Sequence, residues 1–285
     1  MGARDATVAR ELEAFLAARD DAERDVAPSM RSIAHLRADA ERSYLLLHGL
    51  TASPPAWSAI LERLASETRA NVIVLRLPLH GHTDRMSEAL RGLSHRLLVS
   101  DLSAVTGAVA ALGVPITVAG HSLGGTLALQ AATDPRIERV VAIAPFVGVA
   151  FLPLAVHDLA MDAVRRLPNV FLWWNPLLRE RQEPQHGYPR YPWHALAEGV
   201  DIAKALPGRS PRARSITFVL NGNESSVNNR AAERLARHWT AAGAGVEVRV
   251  LRDLPISHDI IDPSLPVSDH VRDELLAILA STAAA

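Results

Sequence analysis

A serine lies at the centre of the short motif Gly120-His121-Ser122-Leu123-Gly124. The motif directly follows the apolar segment 115–119, which has the composition of a strand, and it opens a segment of helical character that continues to about residue 132. On a sharp turn between a strand and a helix, glycines on both sides avoid steric clashes and the serine hydroxyl projects above the sheet edge. The pattern predicts that Ser122 is a nucleophile at a helix N-terminus, where developing negative charge is favoured.

A serine hydroxyl is a weak nucleophile until an imidazole takes its proton, so a histidine must lie nearby in the fold. His258 follows the end of the last predicted strand, and loops at the carboxyl ends of parallel strands are where such sheets hold their sites. His80 and His82 precede the serine and are expected to shape a loop, and His270 is expected to have a capping or surface role. His258 is therefore the predicted base.

A carboxylate should orient this imidazole. Glu224 lies in a turn directly after the predicted strand 216–220, so it should reach the same sheet edge as Ser122. The chain order serine, acid, histidine is the order expected for this kind of sheet. Three other carboxylates lie close to the histidine in sequence and remain alternatives, namely Asp253, Asp259 and Asp262.

Acyl transfer also needs two N–H donors placed where negative charge develops on the carbonyl oxygen. The Leu123 amide, directly after the serine, is the first predicted donor. The second is the Leu50 amide, in the turn His48-Gly49-Leu50-Thr51 that follows the predicted strand 44–47. Thr51 is expected to add a hydroxyl, and His48 is expected to support the turn and not to act as an acid or base.

Short runs rich in Leu, Ile and Val alternate with helix-like segments along most of the chain. The predicted strands are 44–47, 72–75, 116–119, 140–144, 216–220 and 246–251. Alternation of strands and helices predicts an α/β fold, with a mostly parallel central sheet and helices on both faces. Apolar spacing at Val8, Leu12, Phe15 and Leu16 predicts a leading amphipathic helix.

The alternation fails between about residues 148 and 211, a proline-rich stretch that is interpreted as a cap inserted into the core. The predicted domains are a core of residues 1–147 and 212–285, with a helical extension over 1–28, and a largely helical cap over 148–211. Eight of the thirteen aromatic residues lie between Phe146 and Trp193, so they either form the cap's own small core or line an apolar pocket. The predicted substrate contacts are Thr51, His121, Phe146, Phe151, Trp173 and Trp174.

Composition excludes several classes of protein. The 285 residues carry a formal net charge of −1, so the basic excess that drives binding to nucleic acids is missing. The absence of cysteine excludes disulfides, thiolate metal sites and a cysteine nucleophile. The first twenty-five residues lack the apolar run of a signal peptide, and the longest apolar run, 140–156, is too short and too interrupted to span a membrane. A cytoplasmic protein without a metal or cofactor is expected.

Together these motifs resemble the α/β-hydrolase superfamily, within it the carboxylesterase and lipase-like branch, which carries a cap between its sixth and seventh strands. The resemblance spans about residues 43 to 275 and includes the motif Leu77-Pro78-Leu79-His80-Gly81-His82. It departs from the family at the acid, which is usually Asp in an Asp-x-x-Val turn and is Glu224 here. Because Ser122 occupies the nucleophile position, the dehalogenase and epoxide hydrolase branches, which use a carboxylate there, are disfavoured.

The resemblance implies a serine hydrolase that cleaves small apolar carboxylic esters through a Ser-His-Glu triad and an acyl-enzyme. Lactonase, thioesterase and acyltransferase activities use the same residues and remain alternatives. A ligand receptor without catalytic activity on this fold is the alternative from another functional class, because a fold does not dictate a function.

Overall fold

The computed structural model describes residues 3–150, 152–252, 254 and 258–281. Its α-helices are α1 (Ala3–Asp21), α2 (Ser58–Glu67), α3 (His95–Ala110), α4 (Leu123–Ala131), α5 (Leu154–Arg166), α6 (Trp193–Ala205), α7 (Asn229–Ala241) and α8 (Asp269–Ala280). Its strands are β1 (Ile33–His35), β2 (Arg42–Leu47), β3 (Ala70–Leu75), β4 (Ile116–His121), β5 (Ile137–Ile143), β6 (Phe171–Trp173), β7 (Arg190–Pro192), β8 (Ser215–Asn221) and β9 (Val246–Leu251).

Seven strands form the central sheet in the order β1-β3-β2-β4-β5-β8-β9. All neighbouring pairs are parallel except β1 with β3, which is antiparallel. Because the strands are parallel, the loops after β2, β4, β8 and β9 all leave the sheet at one edge. The prediction of a mostly parallel α/β sheet is confirmed, and the loops that carry the candidate site share that edge.

Alternate residues of each strand enter two separate cores, as the pleat of a strand requires. On β2, Leu45 and Leu47 pack on one side with residues of α1, α3, α4 and α7. Tyr44 and Leu46 pack on the other side with residues of α2 and α8. Helices therefore cover both faces of the sheet, which explains why the central strands β2, β3 and β4 are almost continuous apolar runs, whereas β9 at the edge of the sheet alternates apolar and charged residues.

The insertion between β5 and β8 contains α5, a two-stranded antiparallel ribbon of β6 and β7, and α6. The insertion follows the fifth strand of the central sheet. The sequence predicts a largely helical insertion, and the ribbon is an additional element. Helix α6 packs closely on the core because Gly199 has no side chain, and a Cβ there would lie 2.9 Å from the Phe146 ring. None of the helices in the described part of the chain has the length and apolar character needed to cross a membrane.

The N-terminal helix is fixed to the core by both apolar and charged contacts. Leu12 and Leu16 are buried in the core on the α1 side of the sheet. Asp20, at the end of α1, lies 2.9 Å from the guanidinium of Arg76, and both side chains are buried. Glu23 pairs with the same guanidinium at 3.0 Å. Because a buried charge is stable only when it is paired, this cluster ties α1 to the loop after β3.

Candidate active site

Ser122 lies on the tight turn between β4 and α4, with a φ of 55°. A Cβ at Gly120 would lie 2.0 Å from the carbonyl oxygen of Gly124, and one at Gly124 would lie 2.2 Å from the carbonyl oxygen of Leu47. Both positions therefore need glycine for the strand and the helix to approach each other. A positive φ is costly for serine, and such strain is typical of residues held in place for function. The turn leaves Ser122 on the wall of a cavity.

The side chains of Ser122, His258 and Glu224 form a continuous hydrogen-bonded chain. The Nε2 atom of His258 lies 2.7 Å from the Ser122 hydroxyl oxygen, and its Nδ1 atom lies 2.9 Å from Glu224 Oε2. An ionised carboxylate can only accept hydrogen bonds, so the Nδ1 atom of His258 carries the ring proton. Its Nε2 atom is therefore free to accept the proton of the serine hydroxyl. This is the tautomer that a general base needs.

The second oxygen of Glu224 is held by the backbone of its own turn. Oε1 accepts hydrogen bonds from the amides of Ser225 at 2.9 Å, Ser226 at 2.7 Å and Val227 at 3.3 Å. The carboxylate is only 1% exposed. The turn thus fixes one oxygen and directs the other at the imidazole, and glutamate has the reach to do both.

The electrostatics of the pair favour a charged carboxylate beside a basic imidazole. Burial alone would raise the pKa of Glu224, but the hydrogen bond and charge of His258, together with the Ser226 and Val227 amides, bring it below the usual value. Burial alone would lower the pKa of His258, but the hydrogen bond and charge of Glu224 outweigh burial and raise it. The arrangement stabilises an imidazolium next to Ser122.

The residues whose amides are predicted to hold an oxyanion both lie beside Ser122. Leu123 is the first residue of α4, so its N–H has no partner within the helix. Leu50 lies in the turn after β2, and both residues line the cavity beside Ser122. The turn approaches the serine closely, since a Cβ at Gly49 would lie 3.2 Å from Ser122 Cβ.

His48 holds the peptide group that joins Gly49 to Leu50. Its Nε2 accepts the Leu77 amide at 3.0 Å, so its Nδ1 carries the proton and donates to the Gly49 carbonyl at 2.9 Å. Burial, followed by the neighbouring His80, lowers the pKa of His48 well below the ordinary value, so the ring is neutral. Because the peptide group is planar and trans, a Gly49 carbonyl held by His48 turns the Leu50 N–H to the opposite side.

His121 does not lie among the described residues that line the cavity, although a substrate contact is predicted for it. It is 1% exposed, and its Nε2 lies 2.9 Å from the carbonyl oxygen of His258. Its Nδ1 lies 3.6 Å from Asp259, one of the alternative acids. As the last residue of β4 it packs beneath the site and contacts the loop that carries the imidazole.

The cavity beside Ser122 measures about 600 Å³ and is lined mainly by apolar side chains. Many of them come from the insertion, and they include Leu152, Ala160, Met161, Val164, Leu172, Trp174, Tyr191, Trp193 and Leu196. Phe146, predicted from the sequence, also lines it and is 7% exposed. Aromatic and aliphatic residues of the insertion therefore face the nucleophile.

The adjacent residues Trp173 and Trp174 differ in position. Trp174 lines the cavity, whereas Trp173 is not among the described lining residues and lies 6.0 Å from the guanidinium of Arg179. Phe151 lies outside the described residues. Thr51 lines the cavity, but its hydroxyl donates to the Leu50 carbonyl at 2.5 Å and accepts from the Trp174 indole at 2.8 Å. The hydroxyl predicted to assist at the oxyanion is thus already engaged by the protein.

A polar pair that the sequence does not predict has one member, Asp262, in the cavity lining. His186, in the insertion, lies 3.0 Å from Asp262, which follows the His258 loop. Burial alone would raise the pKa of Asp262, but the nearby His186 ring and the hydrogen bonds from Ser264 lower it. Asp262, an alternative acid by sequence, is therefore paired with a histidine other than His258. Asp253, the remaining alternative, lies outside the described residues.

Within the described residues, His95, Glu198 and Asp201 place possible metal-binding atoms within 4.8 Å of one another. Each already has protein partners. Glu198 accepts from the backbone and ring of His95 at 2.7 and 2.8 Å, and Asp201 lies 2.5 Å from Arg165. These contacts account for the cluster as an ion-pair network that joins α6 to α3 and α5.

Comparisons with known proteins concern the family and the fold of the chain. The model of the alpha/beta hydrolase family matches residues 44–271. Among curated proteins, protein phosphatase methylesterase 1 of Pongo abelii is 29% identical over 126 residues, which cover 44% of this chain and 30% of the relative. The matched region thus spans less than a third of that relative's length.

Solved structures with the same fold include lipolytic enzymes. One solved structure, reported with the metagenome-derived lipolytic enzymes LipS and LipT, superposes on this chain with a TM-score of 0.69 at 18% sequence identity. The match covers 89% of this chain and 98% of that chain. A soluble variant of monoglyceride lipase from Saccharomyces cerevisiae has a TM-score of 0.67 at 12% identity, covering 87% and 88%. Because the sequence identities are only 18% and 12%, these two similarities show a shared fold and nothing further.

Proposed function

Because the chain belongs to the alpha/beta hydrolase family, we propose that it is a serine hydrolase that cleaves carboxylic esters through an acyl-enzyme intermediate. One observation carries the proposal, namely the hydrogen-bonded chain from the Ser122 hydroxyl through His258 to Glu224. The three residues come from separate loops at one edge of the sheet, and their order and tautomer are those of a nucleophile, a base and an orienting acid.

In the first step, the Ser122 oxygen attacks the ester carbonyl carbon while its proton passes to His258 Nε2. The carbonyl oxygen becomes negative and accepts hydrogen bonds from the Leu50 and Leu123 amides. The carbon–oxygen bond to the alcohol then breaks, and the imidazolium gives its proton to the departing alkoxide. Glu224 stabilises the imidazolium throughout, since it remains charged and hydrogen-bonded to Nδ1.

In the second step, a water molecule attacks the acyl carbon of the acyl-enzyme. His258 takes a proton from this water, and the same two amides stabilise the second tetrahedral intermediate. The bond to the Ser122 oxygen breaks, and His258 returns the proton to serine. The free acid leaves, and the hydroxyl regains its hydrogen bond to the imidazole.

The insertion, residues 148–211, acts in this proposal as a cap over the nucleophile. The support is the cavity of about 600 Å³, which is bounded by Ser122 on the core side and by apolar residues of α5, β6 and α6 on the other. A mainly apolar wall favours an apolar acyl or alcohol group, because burying such a group releases water from it.

The proposal is tested with a series of p-nitrophenyl esters from acetate to dodecanoate. Ser122→Ala and His258→Ala should each lose at least about 10⁴-fold in kcat, and the double variant should be scarcely worse, because the residues act as a unit. Ser100→Ala, a serine on the exposed face of α3, is the matched control and should hydrolyse the esters like the parent protein.

Hydrolysis by Ser122→Ala near the parent rate would overturn the assignment of the nucleophile. If the parent protein binds the esters but does not turn them over, the chain is a receptor and not an enzyme. Mass spectrometry of the protein mixed rapidly with a slow substrate should show an acyl adduct on Ser122.

A further inference from the structure

The insertion contacts the turn that carries Leu50 through directed hydrogen bonds as well as through apolar packing. The indole N–H of Trp174 donates to the Thr51 hydroxyl oxygen at 2.8 Å. The backbone N–H of Tyr188 donates to the Thr51 carbonyl at 2.8 Å. Both donors lie in the insertion and both act on Thr51. This residue is thus held from outside the core, directly beside one of the two amides assigned to the oxyanion.

Thr51 needs such support because of its backbone conformation. Its φ is 67°, a region that is strained for a β-branched residue. Its hydroxyl, which accepts from Trp174, donates its own proton to the Leu50 carbonyl at 2.5 Å. A relay therefore runs from the Trp174 indole through the Thr51 hydroxyl to Leu50.

The relay completes the orientation of Leu50. The peptide group before its Cα is held by the Gly49 carbonyl, which accepts from His48 at 2.9 Å and from the Ala52 amide at 3.2 Å. The peptide group after its Cα is held by the Thr51 hydroxyl. With both planar groups fixed, the φ and ψ of Leu50 are set, and so is the direction of its N–H.

We propose that Trp174 is a positioning residue of the oxyanion hole, which acts through Thr51 on the Leu50 amide. The inference rests on the proposed function. Trp174 also lines the cavity, and its ring packs against the Tyr191 ring at an interplanar angle of 38°, with 4.1 Å between the ring centroids. The ring thus belongs to the cavity wall, whereas the N–H is directed at the turn that carries Leu50. A residue that only lined the cavity would need the ring and not the N–H.

The substitution Trp174→Phe separates these two roles, because phenylalanine keeps an aromatic ring against Tyr191 and removes the N–H donor. We expect kcat to fall about tenfold on short and long esters alike, with KM within about twofold of the parent value. Loss of a whole oxyanion donor costs about 10²–10³-fold, and here the donor stays but is less firmly held. Both acylation and deacylation use the oxyanion hole, so kcat falls whichever step limits the rate.

Trp173→Phe is the matched control. Trp173 is the preceding residue on β6 and lies outside the cavity lining of the described residues. It should hydrolyse all esters with the parent kcat and KM. Thermal unfolding of both variants checks that the fold persists.

Substitutions of Thr51 test the relay from its other end. Thr51→Ser keeps the hydroxyl and should retain most of kcat, whereas Thr51→Val removes it and should lose at least as much as Trp174→Phe. In the Thr51→Val background, Trp174→Phe should cause no further loss in kcat, because its hydrogen-bond partner is already gone.

The affinity for a trifluoromethyl ketone inhibitor distinguishes a positioning residue from a residue that only lines the cavity. Its adduct with Ser122 carries a negatively charged oxygen, so Trp174→Phe should weaken it by the same factor as kcat/KM. Affinity for the matching secondary alcohol, which forms no adduct, should be unchanged.

Inactive Ser122→Ala supports the proposed function, and the inference about Trp174 then fails alone in any of three cases. Trp174→Phe changes only KM, or it has the same kcat as Trp173→Phe, or it lowers kcat in the Thr51→Val background by as much as it does in the parent protein. It fails together with the proposed function if Ser122→Ala still hydrolyses the esters. If Trp174→Phe does not fold, the comparison of Thr51→Ser with Thr51→Val decides, and equal kcat values in the two variants would overturn the relay.

Discussion

Replacing Glu224 with glutamine should disable the site by reversing the tautomer of His258. Three backbone N–H groups surround the position of Oε1, so the glutamine must place its amide oxygen there. Its NH₂ group then occupies the position of Oε2, 2.9 Å from His258 Nδ1. Facing a donor, Nδ1 must give up its proton and become an acceptor. The proton moves to Nε2, which can no longer accept the proton of Ser122.

The size of the loss follows from two contributions. Opposite charges about 4 Å apart attract each other by about 4 kcal/mol at an effective dielectric constant of about 20. Losing the carboxylate removes this stabilisation of the imidazolium, which corresponds to about a thousandfold in rate. The wrong tautomer adds to this. The same acid-to-amide change in serine proteases lowers kcat about 10⁴-fold, and we expect a loss of about 10³- to 10⁴-fold in Glu224→Gln.

The assay is kcat/KM on p-nitrophenyl butyrate between pH 5 and 9. Catalysis requires neutral His258, so activity of the parent protein should fall as the pH drops through the pKa of His258, which Glu224 raises against the effect of burial. Without the carboxylate, the residual activity of Glu224→Gln should persist to lower pH. Glu224→Asp keeps the charge but cannot reach both the turn amides and the imidazole, and it should lose about 10- to 100-fold.

Asp259→Asn is the matched comparison, because Asp259 is adjacent to His258 in the chain but contacts His121. It should lose less than tenfold. The reasoning is refuted if Glu224→Gln remains within tenfold of the parent protein, or if Asp259→Asn is the variant that collapses.

Two further predictions concern the cavity wall and the buried histidines. Ala160→Phe, on α5 at the cavity wall, should lower kcat/KM at least tenfold for dodecanoate while leaving acetate within threefold, and equal effects on both esters would show that α5 does not face the substrate. Burial lowers the pKa of His80 to about 4, so the native state should lose stability as the pH falls from about 6.5 toward 4, by about 2 kcal/mol between pH 7 and 5. His80→Asn should remove that part of the pH dependence in urea unfolding, and an unchanged dependence would contradict the assignment of a neutral buried ring.

The parts of the fold that sequence predicted well are those with local signals. Every predicted strand of the central sheet overlaps an observed one, because the buried parallel strands are apolar runs and the edge strand β9 is rich in valine. The turn at Ser122 is predictable because Gly120 and Gly124 flank the serine, and any side chain at these two positions would clash. The proximity of Glu224 and His258 followed from their places after parallel strands that end at one edge.

What the sequence could not supply is the direction of side chains within the insertion and the pairing of distant polar groups. Trp173 and Trp174 are adjacent in the chain and only Trp174 lines the cavity, since successive side chains of an extended segment point to opposite sides, and composition does not say which. The pairs of Asp20 with Arg76 and of His186 with Asp262 join residues more than fifty positions apart. The sequence around one residue of such a pair does not indicate which distant residue it contacts.

The two kinds of contact made by the insertion have different consequences for how this site could change. Apolar residues of α5, such as Met161 and Val164, bound the cavity without directed bonds, so their size can vary without moving the core. The contacts of Trp174 and Tyr188 with Thr51 fix directions, because hydrogen bonds weaken steeply when misaligned. On the proposed assignment, substitutions on α5 should therefore alter which ester is preferred, while substitutions at Trp174 should lower turnover of every ester.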